Sequence, residues 1–209
     1  MKKLKFIFWI IFIIFIVYNS VYFEPLDKVK SRTKDETFDP GQYAMELWND
    51  RLLGNLEGAV DAATLLNLFE RDMQQAIDKY ANTLGIASTH AYLVKGHGRI
   101  LVQNDEGVLL TVREPDTVPD IVLQTEYIFG NAIRDACGLI NVSEFPSTMD
   151  FNNISVEINK IVKKEVVPEI LKNIEIGKMM YFIGAAEVNE DNPEIHPLKI
   201  IPISVEGKQ

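Results

Sequence analysis

From Phe6 to Phe23 the chain reads FIFWIIFIIFIVYNSVYF, a run without a single charge, broken only by Asn19 and Ser20. A segment this apolar does not belong on the surface of a water-soluble domain. As a helix it rises roughly 27 Å, just enough to cross a hydrocarbon core. Trp9 at one end and Tyr18, Tyr22 and Phe23 at the other match interfacial aromatic belts. A cleaved signal peptide is the rival reading, and it needs small residues at positions −3 and −1. A cut after Ser20 puts Tyr18 at −3, and a cut after Asn19 puts the amide at −1. A lipoprotein signal needs a cysteine just after the apolar run, and none stands there. The expectation is an uncleaved signal anchor over residues 1–23, with residues 6–23 as a transmembrane helix in the cytoplasmic membrane. Lys2, Lys3 and Lys5 before the span nearly balance Lys28, Lys30, Arg32 and Lys34 after it. The order of a basic start and an apolar run is that of an export signal, so the amino terminus is expected inside. The protein would be single-pass, with its large domain extracytoplasmic (periplasmic).

Setting the anchor aside changes the charge. The chain as a whole carries −9, but beyond residue 23 there remain 18 basic against 30 acidic residues, about −12. That balance argues against nucleic acid as a partner, which needs a basic patch. The single cysteine, Cys137, excludes an internal disulfide framework and a Cys-rich zinc site. The length fits one main domain.

Residues 24–37 are polar and without period and read as a tether; residues 38–209 read as the extracytoplasmic domain, helical over 38–85 and β-rich over 86–209. Asp39 can cap a helix with Pro40 at its first position, running to about Leu53. A second helix is expected from near Asp61 to Leu84, on the stripe Leu65, Leu66, Phe69, Met73, Ala76, Ile77, Tyr80 and Leu84. The period then changes to two. Ala91 to Val102 reads as a long strand with Gly96 and Gly98 marking a bulge or bend. Asn104 to Gly107 is a turn, Val108 to Arg113 a second strand, and Ile121 to Tyr127 a third. Gly130 to Cys137 reads as a short helical turn, and a long helix is expected over Asn153 to Asn173, broken or kinked at Pro168. Met179 to Val188 and Leu198 to Val205 are the last two strands, with Pro202 pushing the second to an edge or bulge. Three strands, a helix and two strands is the order of an OB-fold. The fold class is therefore α+β: an OB-like five-stranded antiparallel barrel, or a curved sheet, with two N-terminal helices and one long inserted helix.

No pattern here carries catalysis. Cys137 lacks a visible activating partner and reads as a buried structural residue. His90, His97 and His196 show no helical ligand spacing, so no metal is expected, nor any cofactor. The carboxylates Asp105, Glu106, Glu114, Asp116, Asp120, Glu126, Glu187, Glu190, Asp191 and Glu194 lie mostly in turns and fit no calcium loop. Lys95-Gly96-His97-Gly98-Arg99 is only superficially a phosphate loop, because it lacks the strand–loop–helix context. The most distinctive segment is Gly130-Asn131-Ala132-Ile133-Arg134-Asp135-Ala136. Adjacent Arg134 and Asp135 are expected to face different partners on a helix. A salt bridge tying the turn to the sheet is the ordinary reading of Arg134, and contact with an anionic ligand is the functional one. Arg134, Asp135, Asn131 and Tyr92 are the ligand-binding candidates. Tyr127, Phe129 and Tyr181 join Tyr92 as aromatics that a sugar-binding face would expose, with core packing as their ordinary role.

The same segment resembles the G-T-A-[LI]-R-D-A stretch of an uncharacterised family of predicted bacterial periplasmic lipoproteins. Other pieces follow in the family's order: Phe38-Asp39-Pro40 with Tyr43 and Trp48, Tyr92 with Gly96 and Gly98, Leu123-Gln124, Phe145 and Phe151, Gly177-Lys178 with Phe182-Ile183-Gly184-Ala185, and Ile200-Ile201-Pro202. Together they span about Phe38 to Val205. Asn131 stands where the family has Thr, and the lipid-bearing cysteine is missing. The resemblance implies a domain anchored outside the cytoplasmic membrane, of a kind often encoded beside sugar-type ABC importers, and it implies no catalytic residues. The expected function is a non-catalytic binding or accessory module, with ABC transporter components or a small-molecule solute as partners. A structural envelope partner docking through the N-terminal helices is the alternative, and a hydrolase using loop carboxylates is less favoured.

Overall fold

The computed structural model describes residues 9, 12, 15, 38–85, 87–113 and 117–207. The chain divides into two units, Met1–Phe38 and Asp39–Gln209. In the first, Trp9, Phe12 and Phe15 are helical and exposed, and the rings of Trp9 and Phe12 meet edge to face at 5.8 Å. The rest of the expected transmembrane helix lies outside the described residues. Among the described residues no helix is long and apolar enough to cross a membrane.

The second unit opens as its sequence dictates. Asp39 Oδ1 accepts from the N–H groups of Gly41 at 2.8 Å and Gln42 at 3.1 Å, starting α1 (Pro40–Glu46). A π-helical turn (Leu47–Leu52) and a 3₁₀ turn (Leu53–Gly58) prolong it. The expected second helix is two, α2 (Ala62–Arg71) and α3 (Met73–Tyr80). Asp72 interrupts them with φ −160° and ψ 87°, and its side chain caps α3 through Gln75 N–H. The apolar stripe passes through this break unaltered, which is why periodicity reads one helix. Two short strands, β1 (Val60–Asp61) and β2 (Ala81–Asn82), flank the pair.

Five strands close a barrel: β3 (Thr89–Gln103), β4 (Gly107–Thr111), β5 (Ile121–Gln124), β6 (Met179–Asn189) and β7 (Leu198–Gly207). Their order around it is β3-β4-β5-β7-β6, and β6 returns to pair with β3. The expectation of an antiparallel barrel needs one correction, because β5 and β7 run parallel. A closed ring of five strands forces this, since an odd number cannot alternate in direction all the way round and the other four pairs are antiparallel. β3 is long enough to serve both sides of the closure: residues 89–99 pair with β6 and residues 99–103 with β4. Gly96 and Gly98 face the interior. A Cβ on Gly96 would lie 3.1 Å from the Phe182 ring and 3.2 Å from Ala62 Cβ, and one on Gly98 would lie 2.9 Å from Leu110 Cβ. Close packing therefore fixes both glycines, and the irregularity falls instead between Ile100 and Val102. Pro202 lies opposite Gly184 at the register shift between β6 and β7, inside the barrel wall and not at an edge.

The inserted segment contains α4 (Ala132–Cys137), a longer α5 (Thr148–Ile161), a π turn (Val162–Val166) and α6 (Val167–Lys172). The long helix begins earlier than its apolar stripe, because Ser147 caps it by accepting from Asp150 N–H at 3.1 Å. Pro168 sits in the first turn of α6, where its missing N–H is harmless.

Asp120 ties the β4–β5 loop to the rest. It accepts from Val112 N–H, Arg113 N–H, Thr111 Oγ1 and Arg113 Nε, and Arg113 also reaches Glu70 on α2 at 2.7 Å. Burial alone would raise the Asp120 carboxyl, but these donors and the Arg113 charge hold it below the usual carboxylate range. A lowered carboxylate contributes stability above its unfolded value and loses it as pH falls through its folded one. Asp120→Asn is therefore expected to lower stability at neutral pH and to flatten its decline in acid. Urea unfolding across the acid range checks this; a variant that declines as steeply as the wild type would count against it.

Candidate functional site

The register places Leu109, Val122 and Lys199 side by side across β4, β5 and β7 on the outer face of the barrel. Beside this row lies a cavity of about 510 Å³, within the range typical of small-molecule sites. Ala132, Ala185 and Ile201 form its apolar floor. Glu106, Gln124, Glu187 and Lys199 supply the polar groups, and Tyr127 and Phe129 form the rim. The rim follows from alternation in the loop after β5. Ile128 is 2% exposed and anchors it, while Tyr127 at 59% and Phe129 at 72% point outward. Gln124 Nε2 donates to Tyr127 O at 3.1 Å and holds the loop from below.

Glu187 enters from β6. Part of it stays in solvent, but its Oε2 would lie only 3.2 Å from a Cβ at Gly130, and it accepts from the N–H of Asn131. Burial, then the Asp135 charge, pushes its carboxyl above the usual range, against the Asn131 N–H and the Arg134 charge.

The distinctive segment supports this cavity from behind. Arg134 is 4% exposed, and its Nε donates to Asp135 Oδ1 at 2.6 Å, so the neighbouring residues pair with each other, contrary to the expectation of separate partners. Its Nη1 donates to Phe151 O at 3.3 Å and Asn152 Oδ1 at 3.1 Å, and the guanidinium lies 3.8 Å from the centre of the Phe151 ring. The ion pair thus fastens α4 to α5, not to the sheet. Asn159 Nδ2 adds a bond to Gly130 O at 3.0 Å. Asn131, Arg134 and Asp135 are therefore brought together with Glu187, while Tyr92 lies apart. Tyr92 is fully buried in the barrel, its ring 5.1 Å from that of Phe69 and nearly perpendicular to it. Among the described residues its hydroxyl has no hydrogen-bond partner, and burial, with the Glu190 charge, pushes the phenol up. Tyr181 packs on His97 at 4.7 Å. The sequence marks Tyr127, Phe129 and Glu187 only within longer sets of aromatics and acids, Gln124 and Ile201 only within pieces shared with the family, and Lys199 not at all. The exposed–buried–exposed alternation ahead of Gly130 was the available signal.

Elsewhere the charged groups pair with one another, while among the described residues His90 Nε2 and Ser155 Oγ make no hydrogen bond. A second cavity of about 540 Å³ is lined by Asn67, Leu109, Arg113, Val118 and His196, among others. There Glu70 pairs with Arg113 and lies 3.4 Å from His196 Nε2. His90 Nδ1 lies 2.7 Å from Thr83 Oγ1, and its Nε2 lies 3.6 Å from Glu190. Burial pushes the Cys137 thiol up, and Sγ donates to Arg134 O, so it is a poor nucleophile. Among the described residues no group of three or more His, Cys, Asp or Glu is placed to hold a metal ion.

Comparison with known proteins agrees with this architecture. The chain is similar to an OB-fold protein from Thermotoga maritima MSB8 whose crystal structure is known, 34% identical over 83% of this chain and 100% of that one, with a TM-score of 0.76. The search among curated proteins gives no match. Residues 11–206 match the model of a family described as predicted periplasmic lipoprotein (DUF2291), a description that puts the domain outside the cytoplasm and in association with a membrane. With nearly its whole length matched, the chain belongs to this family of predicted periplasmic lipoproteins.

Proposed function

We propose that this chain is a membrane-anchored, non-catalytic binding module that holds a small polyhydroxylated solute of about monosaccharide size in the cavity beneath Tyr127 and Phe129. The observation that carries this is the pair of rings, 59% and 72% exposed, over an apolar floor with acceptors and a donor at its sides. Exposed aromatic faces stack on the C–H face of a sugar ring, while carboxylates, an amide and an ammonium meet its hydroxyls. The uncharged run of residues 6–23 serves as the anchor in place of a lipid, spanning the cytoplasmic membrane once with the amino terminus inside. The module then acts beside a solute importer of the ABC type, presenting or scavenging its solute.

Thermal unfolding of the full chain in mild detergent, screened against neutral monosaccharides, tests the site. A solute that binds the native state raises the melting temperature. Phe129→Ala is expected to leave the unliganded melting temperature unchanged, because the ring is exposed. It should weaken binding about tenfold, as loss of a stacked aromatic costs about 1–1.5 kcal/mol. An equal affinity in Phe129→Ala, or no shift with any solute, would sink the assignment.

A further inference from the structure

The geometry points to a solute that carries a positively charged amino group, held by the Glu187 carboxylate between the rings of Tyr127 and Phe129. This inference rests on the cavity being a solute site and names the chemistry that the site selects.

The first support is the charge of the lining. Glu106 and Glu187 face one cation, Lys199, and the Lys199 ammonium lies 3.5 Å from Glu194 and so is drawn toward another acid. The second is the isolation of Glu187. Among the described residues no cation stands within ion-pair distance of it. Arg134, whose charge Glu187 feels, turns its Nε to Asp135 at 2.6 Å and its Nη1 to Phe151 O and Asn152 Oδ1. What Glu187 has is one backbone N–H, from Asn131, beside the like charge of Asp135. A carboxylate without a countercharge, beside the like charge of Asp135, is relieved by an incoming cation, whereas a neutral hydroxyl leaves its charge uncompensated. Its upward shift agrees, since burial and Asp135 both disfavour the bare anion.

The third support is the rim. An ammonium over the face of Tyr or Phe is attracted by the ring quadrupole. Both rings offer such faces at the mouth. The fourth is long-range: the domain's charge of about −12 beyond residue 23 draws cations toward the cavity and repels phosphorylated or acidic solutes. Glu187 is thus the specificity-determining residue, and the class of ligand is an amine-bearing polyol or amino sugar.

Titration calorimetry on the full chain in mild detergent, with matched pairs, tests this: glucose against glucosamine and galactose against galactosamine, at a pH where the amines are protonated. The amino member of a pair is expected to bind at least about tenfold tighter, in keeping with a cation recognised by both a carboxylate and aromatic faces. Glu187→Gln, which keeps the size of the side chain, should bring the two members to near-equal affinity. Phe129→Ala should weaken both. The wild-type ratio needs no variant, so a misfolded Glu187→Gln does not shield the inference. If the neutral sugar binds as tightly as the amino sugar and Phe129→Ala still weakens it, the solute site stands and the amine selection is wrong. If the amino sugars win but Glu187→Gln keeps their advantage, the assignment to Glu187 is wrong. If no member of either pair binds, the solute site and the inference fall together.

Discussion

Arg134→Ala is expected to cost about 3–5 kcal/mol of stability, the usual penalty for removing one partner of a buried ion pair. At this chain length that lowers the melting temperature by roughly 6–20 °C. The size follows from what the guanidinium holds. Its side chain is 3% exposed and that of Asp135 is 16% exposed, so deleting it strands a nearly buried carboxylate. It also leaves Phe151 O and Asn152 Oδ1 without their donor and strips a cation from the face of the Phe151 ring. Arg134→Lys should recover little, because a compact ammonium cannot reach Asp135 and Asn152 at once or stack flat on Phe151. The measurement is urea unfolding of both variants beside the wild type. A variant that unfolds at the wild-type midpoint but no longer binds solute would assign Arg134 to the ligand instead of the scaffold.

That choice shows how far the sequence reaches. The segment from Gly130 to Ala136 is conspicuous in the chain, and it does lie at the cavity. Its chemistry, however, turns inward. An Arg beside an Asp reads as two side chains pointing apart on a helix, but a six-residue helix packed on α5 lets the long Arg134 side chain fold back onto its neighbour. Glu187 reaches the site through the sheet register, from a strand far along the chain, and no local pattern announces that meeting. The same divide separates what was legible in the fold. Strand order and the Asp39 cap are local and were readable. The break at Asp72 was not, because the apolar stripe continues through it. Nor was the parallel pairing of β5 with β7, since which pair of a five-strand ring runs parallel depends on where the last strand inserts.

Gly107→Ala is the other substitution expected to be severe, and it couples the fold to the cavity. Gly107 has φ 155°, and a Cβ built there would lie 1.9 Å from Leu123 O. No rotation of a flexible side chain relieves that contact, since the obstacle is the backbone of β5. The turn cannot swing away either. Asn104 N–H donates to Gly107 O at 2.9 Å, and Asn104 Oδ1 accepts from Glu106 N–H at 2.9 Å and from Gly107 N–H at 3.1 Å. Thr125 N–H donates to Glu106 O at 3.2 Å on the β5 side. The methyl group must therefore push β4 and β5 apart, at a cost of about 3 kcal/mol from overpacking and lost ladder bonds. The same movement displaces Glu106 in the turn before β4 and Gln124 on β5, which line the cavity, and with Gln124 the support of the Tyr127 loop. The variant should melt roughly 6–12 °C below the wild type and lose the solute-dependent shift. Gly54→Ala is the control, with nothing within 4 Å of its Cβ position, and should change stability by less than about 1 kcal/mol. A Gly107→Ala protein that melts with the control and still responds to solute would mean that β4 and β5 separate without cost, and that the cavity does not depend on their pairing.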